Sequence, residues 1–176
     1  MMEDKSMGQY KEIGLVTEAV AKAGKQTRFI DTEFGRMGIS ERCGFITALF
    51  LTKDTKGKAV GADTPVLLAA EKQIREYLAG LRQTFDLPLA PVGTEFQKMI
   101  WAALQRIPYG ETCSYQQVAA MVGKPNACRA VGMANNKNPI LIIIPCHRVI
   151  GSNGKLVGYA AGLAVKEKLL ELERAH

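Results

Sequence analysis

The chain has few of the residues from which metal sites and disulfide frameworks are built. Its 176 residues include two histidines, one of them the terminal His176, and four cysteines that lie far apart without a CxxC pair. A zinc site needs three or four such ligands at suitable spacing, so the composition argues against a metal at any functional site. Scattered cysteines in a chain without a secretory signal are expected to be reduced thiols.

Long apolar stretches are also missing. No segment approaches the ~20 consecutive apolar residues that cross a bilayer, and residues Met1 to Lys5 do not begin a secretory signal pattern. We therefore expect an intracellular, cytoplasmic protein that is not bound to a membrane. The net charge of +6 suits a polyanionic partner, because basic side chains that neutralise phosphates release counterions. Many basic proteins bind no nucleic acid, so charge alone leaves the partner open.

The first half of the chain favours a small antiparallel sheet with one helix. Strand-like runs lie at Thr27 to Ile30, Arg36 to Glu41 and Gly44 to Thr52, with glycines suited to tight turns between them. A helical stripe of apolar residues then runs from Pro65 to Leu81, with proline at the favoured first position. We expect this helix to pack on the sheet.

Two further segments bracket this sheet. Residues Gly8 to Lys25 carry a loose helical stripe, and residues 1–26 are treated as an extension of unknown role. Phe85 to Leu89 alternates like an edge strand, and the proline- and glycine-rich cluster after it is typical of a domain boundary. The sequence therefore predicts domains over residues 27–91 and 92–176.

The second half is predicted to be mainly helical. Thr94 caps a helix in which Trp101 is a packing residue, and two short helices follow at Ser114 to Met121 and Asn126 to Asn135. Two short helices around a glycine-containing turn are typical of a helix-turn-helix, although enzymes that never meet DNA also contain such hairpins. A final helix from Leu163 to Arg174 closes the chain.

Cys146 lies in the most informative stretch of the chain. The uninterrupted apolar run Ile140 to Ile144 predicts a strand covered on both faces, and Pro145 ends it, so we expect Cys146 on a rigid support at the edge of the core. A packed core thiol is the alternative. His147 and Arg148 argue against that alternative, because neither can enter an apolar interior without a partner. Cationic or hydrogen-bonding neighbours would lower the pKa of the thiol and raise its thiolate fraction.

The pentapeptide PCHRV at Pro145 to Val149, preceded by Asn138 and Pro139, resembles the active-site signature of the O6-alkylguanine-DNA alkyltransferases. The resemblance extends from about Phe96 to Glu173 and is weaker in the strand-rich first half. Together with the predicted elements it implies an α/β (α+β) fold. In this fold, a small antiparallel-sheet N-terminal domain precedes a mainly helical C-terminal domain with a helix-turn-helix and an active-site cysteine loop.

The resemblance implies a reaction in which O6-alkylguanine in DNA loses its alkyl group to Cys146. A thioether has no easy route back to a thiol, so each molecule would act once. A thiolate is strongly nucleophilic, and no cofactor would be needed. The implied partner is double-stranded DNA containing O6-alkylguanine, bound through its minor groove by a monomer.

The same resemblance assigns three residues around the thiol. His147 would remove the thiol proton through an intervening water, which is needed because adjacent side chains of an extended chain point to opposite faces. Glu173 would orient His147. Without the resemblance, the local pattern favours Glu173 as an exposed charge at a helix end. The nearby Glu171 is not an equivalent candidate, because it points roughly 200° away from Glu173 around the helix. Asn138 is either a turn residue bonded to its own backbone or a tie between the helix-turn-helix and the cysteine loop.

Further residues are implied to contact DNA. Tyr115 would hydrogen-bond the target base and help to push it out, although its position also suits a half-buried aromatic residue. Arg129 would fill the gap left by the extruded nucleotide, instead of reading bases in the major groove. Ala127 and Ala130 are small enough for close approach to DNA. Extrusion makes chemical sense because in-line attack cannot reach O6 inside a duplex.

The alkyl pocket would be lined by the carbonyl of Val149 and by Tyr159 and Ala160. Relatives often carry serine or glycine near Ala160, so the sequence leaves the tolerated size of the alkyl group open. Three other functions are considered: an alkylguanine sensor without transfer, a helix-turn-helix regulator that reads the major groove, and a cysteine hydrolase. The intact pentapeptide favours the alkyltransferase.

Overall fold

The computed structural model describes residues 22–54 and 63–176. The helix predicted within Gly8 to Lys25 lies almost wholly outside the described residues. None of the helices within the described ranges is long and apolar enough to cross a membrane.

Three antiparallel strands open the described chain: β1 (Gln26–Thr32), β2 (Gly35–Arg42) and β3 (Phe45–Thr52), paired in that order. Each hairpin contains a glycine with positive φ, 105° at Gly35 and 81° at Gly44, a conformation that glycine adopts without steric cost. The predicted sheet is confirmed. One face of the sheet carries the buried residues Ile30, Met37, Ile39, Ile46 and Leu49.

Helix α1 (Pro65–Leu78) covers this sheet. Thr64 caps it by accepting a hydrogen bond from the Leu67 amide, as its sequence position predicts. The helix ends earlier than predicted because Gly80 takes a positive φ of 72°, and Leu81 is 80% exposed. The residues that α1 buries are Leu67, Ala70, Ile74 and Tyr77.

The predicted edge strand at Phe85 to Leu89 is wrong. Only Leu89 forms a bridge, to Ile46 of β3. Pro88 has no backbone donor, and its carbonyl instead accepts a hydrogen bond from the Ile46 amide at 2.8 Å. The segment is therefore an extended connection along the edge of the sheet.

The strand predicted at Ile140 to Ile144 is also wrong, since this run forms a buried turn. Only Ile140 bridges to a strand, at Leu49 of β3, and the Ile144 amide then bonds back to the Ile140 carbonyl at 3.1 Å. Ile142 has a φ of 68°, which β-branched residues rarely adopt. The turn is apolar because it passes through the core, and composition alone cannot distinguish it from a buried strand.

Apart from the segment around Cys146, which is described below, the second half contains four helices and one short strand. These elements are α2 (Glu95–Leu104), β4 (Cys113–Ser114), α3 (Tyr115–Met121), α4 (Cys128–Asn136) and α5 (Leu163–Ala175). Capping boxes begin α2 and α3, formed by Thr94 with Gln97 and by Ser114 with Gln117. The predicted helices are confirmed.

One cluster of buried residues runs from the sheet through α1, α2 and the helix-turn-helix to α5. Trp101 is buried within it, and its indole Nε1 donates a 2.9 Å hydrogen bond to the carbonyl of Ala134 in α4. Trp101 is thus a packing residue, as predicted, and it joins α2 to α4. The domain division between residues 91 and 92 stays a prediction.

Replacing Trp101 by phenylalanine should lower the free energy of unfolding by about 1–3 kcal/mol, because it removes buried volume and a buried hydrogen bond. Urea denaturation followed by circular dichroism would measure the loss. The control is Leu81→Ala, which should stay within about 0.5 kcal/mol of wild type because the side chain is exposed. Equal stability of the two variants would contradict the role given to Trp101.

Candidate active site

Cys146 begins a single 3-10 turn, Cys146–Arg148, which follows the buried turn. Strand β5 (Val149–Ile150) comes next and pairs in parallel with β4. Cys146 is only 1% exposed, so the predicted position at the edge of the core is wrong: the thiol lies inside it. The 3-10 turn bends the chain between Cys146 and His147.

Asn138 fixes the cysteine turn from the end of α4. Its Nδ2 donates to the carbonyl of Ile144 at 2.8 Å and to the Cys146 sulfur at 3.0 Å, while its Oδ1 accepts from the Ile140 amide at 3.0 Å. Asn135 adds a 3.3 Å hydrogen bond to the Cys146 carbonyl. Asn138 therefore combines both predicted arrangements, a local turn and a tie to the cysteine.

Burial raises the pKa of the Cys146 thiol to about 11, although the hydrogen bond from Asn138 and the charge of Lys166 act to lower it. Hydrogen-bonding and cationic neighbours thus act in the direction expected from the sequence, but burial outweighs them. Arg148 is paired with Glu173.

Glu173 on α5 is a buried carboxylate that accepts hydrogen bonds from four residues. Arg148 binds it through Nε and Nη2 at 2.9 Å, His147 Nε2 lies 2.8 Å away, the Tyr77 hydroxyl donates at 2.5 Å, and the Gly110 amide donates at 3.1 Å. Burial alone would raise the pKa of Glu173, but the hydrogen bonds from His147, Arg148 and Tyr77 lower it to about 2. The carboxylate is therefore ionised, and Glu173 faces inward as predicted, while Glu171 is exposed.

His147 is fully buried, and burial lowers its pKa despite the opposing effect of Glu173. The ring is therefore neutral near pH 7. Because an ionised carboxylate only accepts, the Nε2 beside Glu173 carries the ring proton. The other nitrogen, Nδ1, is buried without a hydrogen-bond partner among the described residues. His147 thus has one nitrogen held by Glu173 and one free to accept a proton.

Lys166 on α5 is buried beside the cysteine turn. Its Nζ donates to the carbonyl of Val149 at 2.5 Å and to that of Val157 at 3.0 Å. Burial lowers the pKa of Lys166 to about 8. The Tyr115 hydroxyl donates to the same Val157 carbonyl at 3.0 Å. Lys166 and Tyr115 thereby hold the segment around Val157 next to the thiol.

Tyr159 lies against the sulfur. Burial raises the pKa of its phenol, and the nearby Cys146 raises it further. Its hydroxyl interacts with the Cys146 sulfur, and no other hydrogen-bond partner is present for it within residues 22–54 and 63–176. Val149 is buried with its carbonyl held by Lys166, whereas Ala160 is exposed at the surface of the same loop. The predicted pocket residues Val149 and Tyr159 therefore lie around Cys146, with Ala160 farther out.

The remaining predicted residues lie on the helix-turn-helix. Arg129 is exposed on α4, and Ala127 and Ala130 beside it are half-buried. Gly132, also on α4, has its nearest side-chain neighbour in the ring of Tyr115, which would lie 3.8 Å from an added Cβ. The structure thus connects the surface of α4 to the buried thiol through Tyr115.

Four residues of the site were missed in the sequence: Tyr77, Arg148, Lys166 and Asn135. Lys166 lies on the buried face of α5 with Leu169, Leu170 and Glu173, and this helical spacing is a signal that could have identified Lys166 as buried. A buried lysine needs partners and is therefore a candidate site residue. Tyr77 is 96 residues from Glu173 along the chain, and no local pattern could connect them.

Within the described part of the chain, no three histidine, cysteine, aspartate or glutamate side chains are grouped so that they could hold a metal ion. The donors around Cys146 are an amide, an ammonium and a phenol, and these are not the thiolate and imidazole sets that bind transition metals.

Comparisons with known proteins agree with this geometry. Residues 95–175 match the family model of the 6-O-methylguanine DNA methyltransferase DNA binding domain. The constitutive methylated-DNA--protein-cysteine methyltransferase of Bacillus subtilis is 47% identical over 152 residues, which cover 82% of this chain and 92% of that one. The methyltransferase of Methanosarcina barkeri is 62% identical over 104 residues, covering 59% of this chain and 66% of that one.

A solved structure supports the same relationship. The crystal structure of Mycobacterium tuberculosis OGT in complex with DNA superposes with a TM-score of 0.78 at 44% sequence identity. The match covers 85% of this chain and 92% of that chain, so it includes the sheet as well as the helical half. The predicted α+β fold is confirmed, and the chain belongs to the O6-methylguanine-DNA methyltransferase family.

Proposed function

We propose that the protein repairs DNA by moving the alkyl group of O6-alkylguanine irreversibly to Cys146, once per molecule. The observation that carries this proposal is the arrangement of His147. Its Nε2 is held by Glu173, and its Nδ1 is buried and free beside the cysteine turn. A neutral imidazole so arranged is a general base for a nearby thiol.

The reaction needs four changes of bonding. The Cys146 proton moves through a water to Nδ1 of His147, and the thiolate attacks the alkyl carbon in line with the guanine oxygen. The S–C bond forms as the C–O6 bond breaks, and the guanine anion then takes a proton from solvent while the protonated His147 returns its proton to solvent, so the net result is a thioether, a normal guanine and a neutral His147. No oxidant, reductant or cofactor takes part.

Asn138 and Lys166 contribute to the charged stage of this reaction. Both stabilise the thiolate, Asn138 through its 3.0 Å hydrogen bond to the sulfur and Lys166 through its charge. These effects do not overcome burial in the unliganded protein. They become decisive once His147 accepts the proton, because the sulfur then carries its charge next to a donor and a cation.

Access to the sulfur requires an extruded nucleotide. Cys146 is 1% exposed, and the loop whose Val157 carbonyl is bonded to Tyr115 and Lys166 also brings Tyr159 to the sulfur. A guanine that remains stacked in a duplex cannot reach this depth, and damaged pairs cost less to open. We propose that Tyr115 exchanges its bond to Val157 for a contact with the incoming nucleotide.

The DNA-binding surface is proposed to be the helix-turn-helix. Arg129 projects from α4 with small residues at Ala127 and Ala130, so the helix surface can approach DNA closely while the arginine replaces the extruded nucleotide. We propose that a cytoplasmic monomer binds the minor groove in this way. The structure of the Mycobacterium tuberculosis relative in complex with DNA supports DNA as the partner.

The sensor and regulator alternatives are not favoured. A sensor needs no nucleophile, whereas this chain carries Cys146 with its proton acceptor and a stabilising donor. A regulator that reads the major groove would need no buried thiol connected to its helix-turn-helix. The relatives named as methyltransferases favour transfer as well.

Incubation with duplex DNA that carries one O6-methylguanine should increase the mass of the protein by one methyl group, about 14 Da, on Cys146. Intact-protein mass spectrometry and peptide mapping would measure the gain. Undamaged DNA and the Cys146→Ala variant are the controls, and both should show no change. Tight binding to the lesion without a gain in mass would reject transfer in favour of a sensor.

Without DNA, Cys146 should react slowly with iodoacetamide at neutral pH, because it is buried and its pKa is raised to about 11. Below that value the thiolate fraction rises about tenfold per pH unit, so the rate should rise in the same proportion. Mass spectrometry of labelled peptides would compare Cys146 with the exposed Cys43. Faster labelling of Cys146 than of Cys43 at pH 7 would contradict a protonated, covered thiol.

Arg129→Ala should slow transfer from duplex DNA by at least about tenfold, because the gap left by the extruded nucleotide is no longer filled. Transfer from the free base O6-benzylguanine should be unchanged, since the free base needs no extrusion. The matched control is Lys124→Ala, an exposed charge in the turn between α3 and α4. An equal loss on both substrates would place Arg129 in the chemistry instead of the extrusion step.

A further inference from the structure

We infer that Tyr77, on helix α1 in the sheet-bearing half of the chain, is a positioning residue for the alkyl transfer. Its hydroxyl would hold the Glu173 and His147 pair in the arrangement that accepts the thiol proton. This inference rests on the proposed function. It adds to that function a contribution from the half of the chain that carries neither the pentapeptide nor the helix-turn-helix.

The geometry places one hydroxyl between two members of the site. The Tyr77 oxygen donates to Glu173 Oε1 at 2.5 Å and lies 3.3 Å from His147 Nε2. The ring is fully buried between Phe85 and Tyr109, at centroid distances of 5.3 Å and 6.0 Å. Because α1 packs on the sheet, the position of this hydroxyl is set by the first half of the chain.

Hydrogen-bond roles follow from the charge of Glu173. An ionised carboxylate only accepts, so the single hydroxyl hydrogen of Tyr77 is committed to it. The tyrosine oxygen therefore presents lone pairs to Nε2 of His147, as the carboxylate does. If Nε2 carried no proton, its lone pair would face the lone pairs of two oxygens, which is unfavourable. Both oxygens thus favour the tautomer with the proton on Nε2, which leaves Nδ1 as the base.

The same two oxygens act during the proton transfer. When Nδ1 takes the thiol proton, the ring becomes positively charged and the Nε2 proton is held more strongly by its acceptors. The Tyr77 hydroxyl is neutral, and the negative end of its dipole faces the charged ring of His147. Arg148 secures the carboxylate independently through two hydrogen bonds, so removal of the tyrosine hydroxyl should leave Glu173 in place.

Other charged groups also act on His147, and they set the background of any pH profile. Glu173 on α5 favours the protonated ring, whereas Arg148 in the cysteine turn and Lys166 on α5 oppose it. Cys146 supplies the transferred proton from the adjacent position. Tyr77 is the group contributed by α1, and burial together with Glu173 raises its pKa, so it stays protonated throughout the working range.

The test is Tyr77→Phe, which keeps the ring and removes only the hydroxyl. We expect the single-turnover rate constant on O6-methylguanine duplex to fall about tenfold at pH 7, because a hydrogen bond to a charged group is lost. The dissociation constant for DNA and the unfolding temperature should change little. The deficit should shrink as pH rises, since direct ionisation of the thiol makes proton transfer to His147 less important.

Tyr109→Phe is the matched control. The Tyr109 hydroxyl has no hydrogen-bond partner within the described ranges, yet its ring contacts both Tyr77 and Arg148. This variant should transfer at the wild-type rate. A Tyr77→Phe rate equal to that of Tyr109→Phe would overturn the inference. A deficit that is constant with pH, or matched by weaker DNA binding, would also overturn it by indicating a purely structural role.

A second variant covers the case in which Tyr77→Phe does not fold. Site-specific 3-fluorotyrosine at position 77 keeps the ring and the hydroxyl but makes the oxygen a poorer acceptor. We expect a smaller loss of rate with the same pH trend, and a wild-type rate would overturn the inference. Wild-type protein is measured in parallel, so a failure of the wild type to accept the methyl group would reject the proposed function itself.

Discussion

The ionised carboxylate of Glu173 is the constraint on which the site depends. A buried charge is costly unless it is paired and hydrogen-bonded, and Glu173 satisfies this condition only when four parts of the chain meet. Helix α1 brings Tyr77, the loop after α2 brings Gly110, the cysteine turn brings His147 and Arg148, and α5 brings the carboxylate. The core must therefore be correctly packed before Glu173 can hold His147 in place.

A buried ion pair is weak evidence for stability, because apolar residues of similar volume can replace such a pair at little cost. The arrangement is better explained by what it does to His147. Glu173 holds Nε2 and leaves Nδ1 free, and burial keeps the ring neutral and able to accept a proton. The buried thiol has the opposite character: it stays protonated until a base and a substrate are both present. If Cys146 acts once, as proposed, its burial protects it from reaction with stray electrophiles.

Much of the fold and most of the site could be predicted from the sequence. Turn glycines, helix caps and apolar periodicity are local signals, and they identified the sheet and the helices. The inward position of Glu173 came from the family resemblance, because the local pattern alone favoured an exposed charge at a helix end. The strand predicted after Pro139 was wrong because a buried turn and a buried strand have the same composition. Only the pairing with other strands distinguishes them, and here it is limited to the bridge between Ile140 and Leu49. The depth of Cys146 could not be predicted for a related reason. The sequence placed the thiol at the edge of the core, whereas three-dimensional packing buries the sulfur and pairs Arg148 with Glu173.

The contact that no local pattern could reveal also explains why the two halves of the chain work together. The first half does not carry the PCHRV pentapeptide and has no helix-turn-helix among its described residues, yet its helix α1 reaches the Glu173 carboxylate through Tyr77. A small movement of α1 against the sheet would alter the separation of Tyr77, Glu173 and His147 before it exposed any core residue. Because hydrogen bonds weaken steeply with distance and angle, the base strength of His147 depends on how well the first half is packed. The sheet and helix α1 therefore pack in the core and also hold Tyr77 in place beside Glu173 and His147.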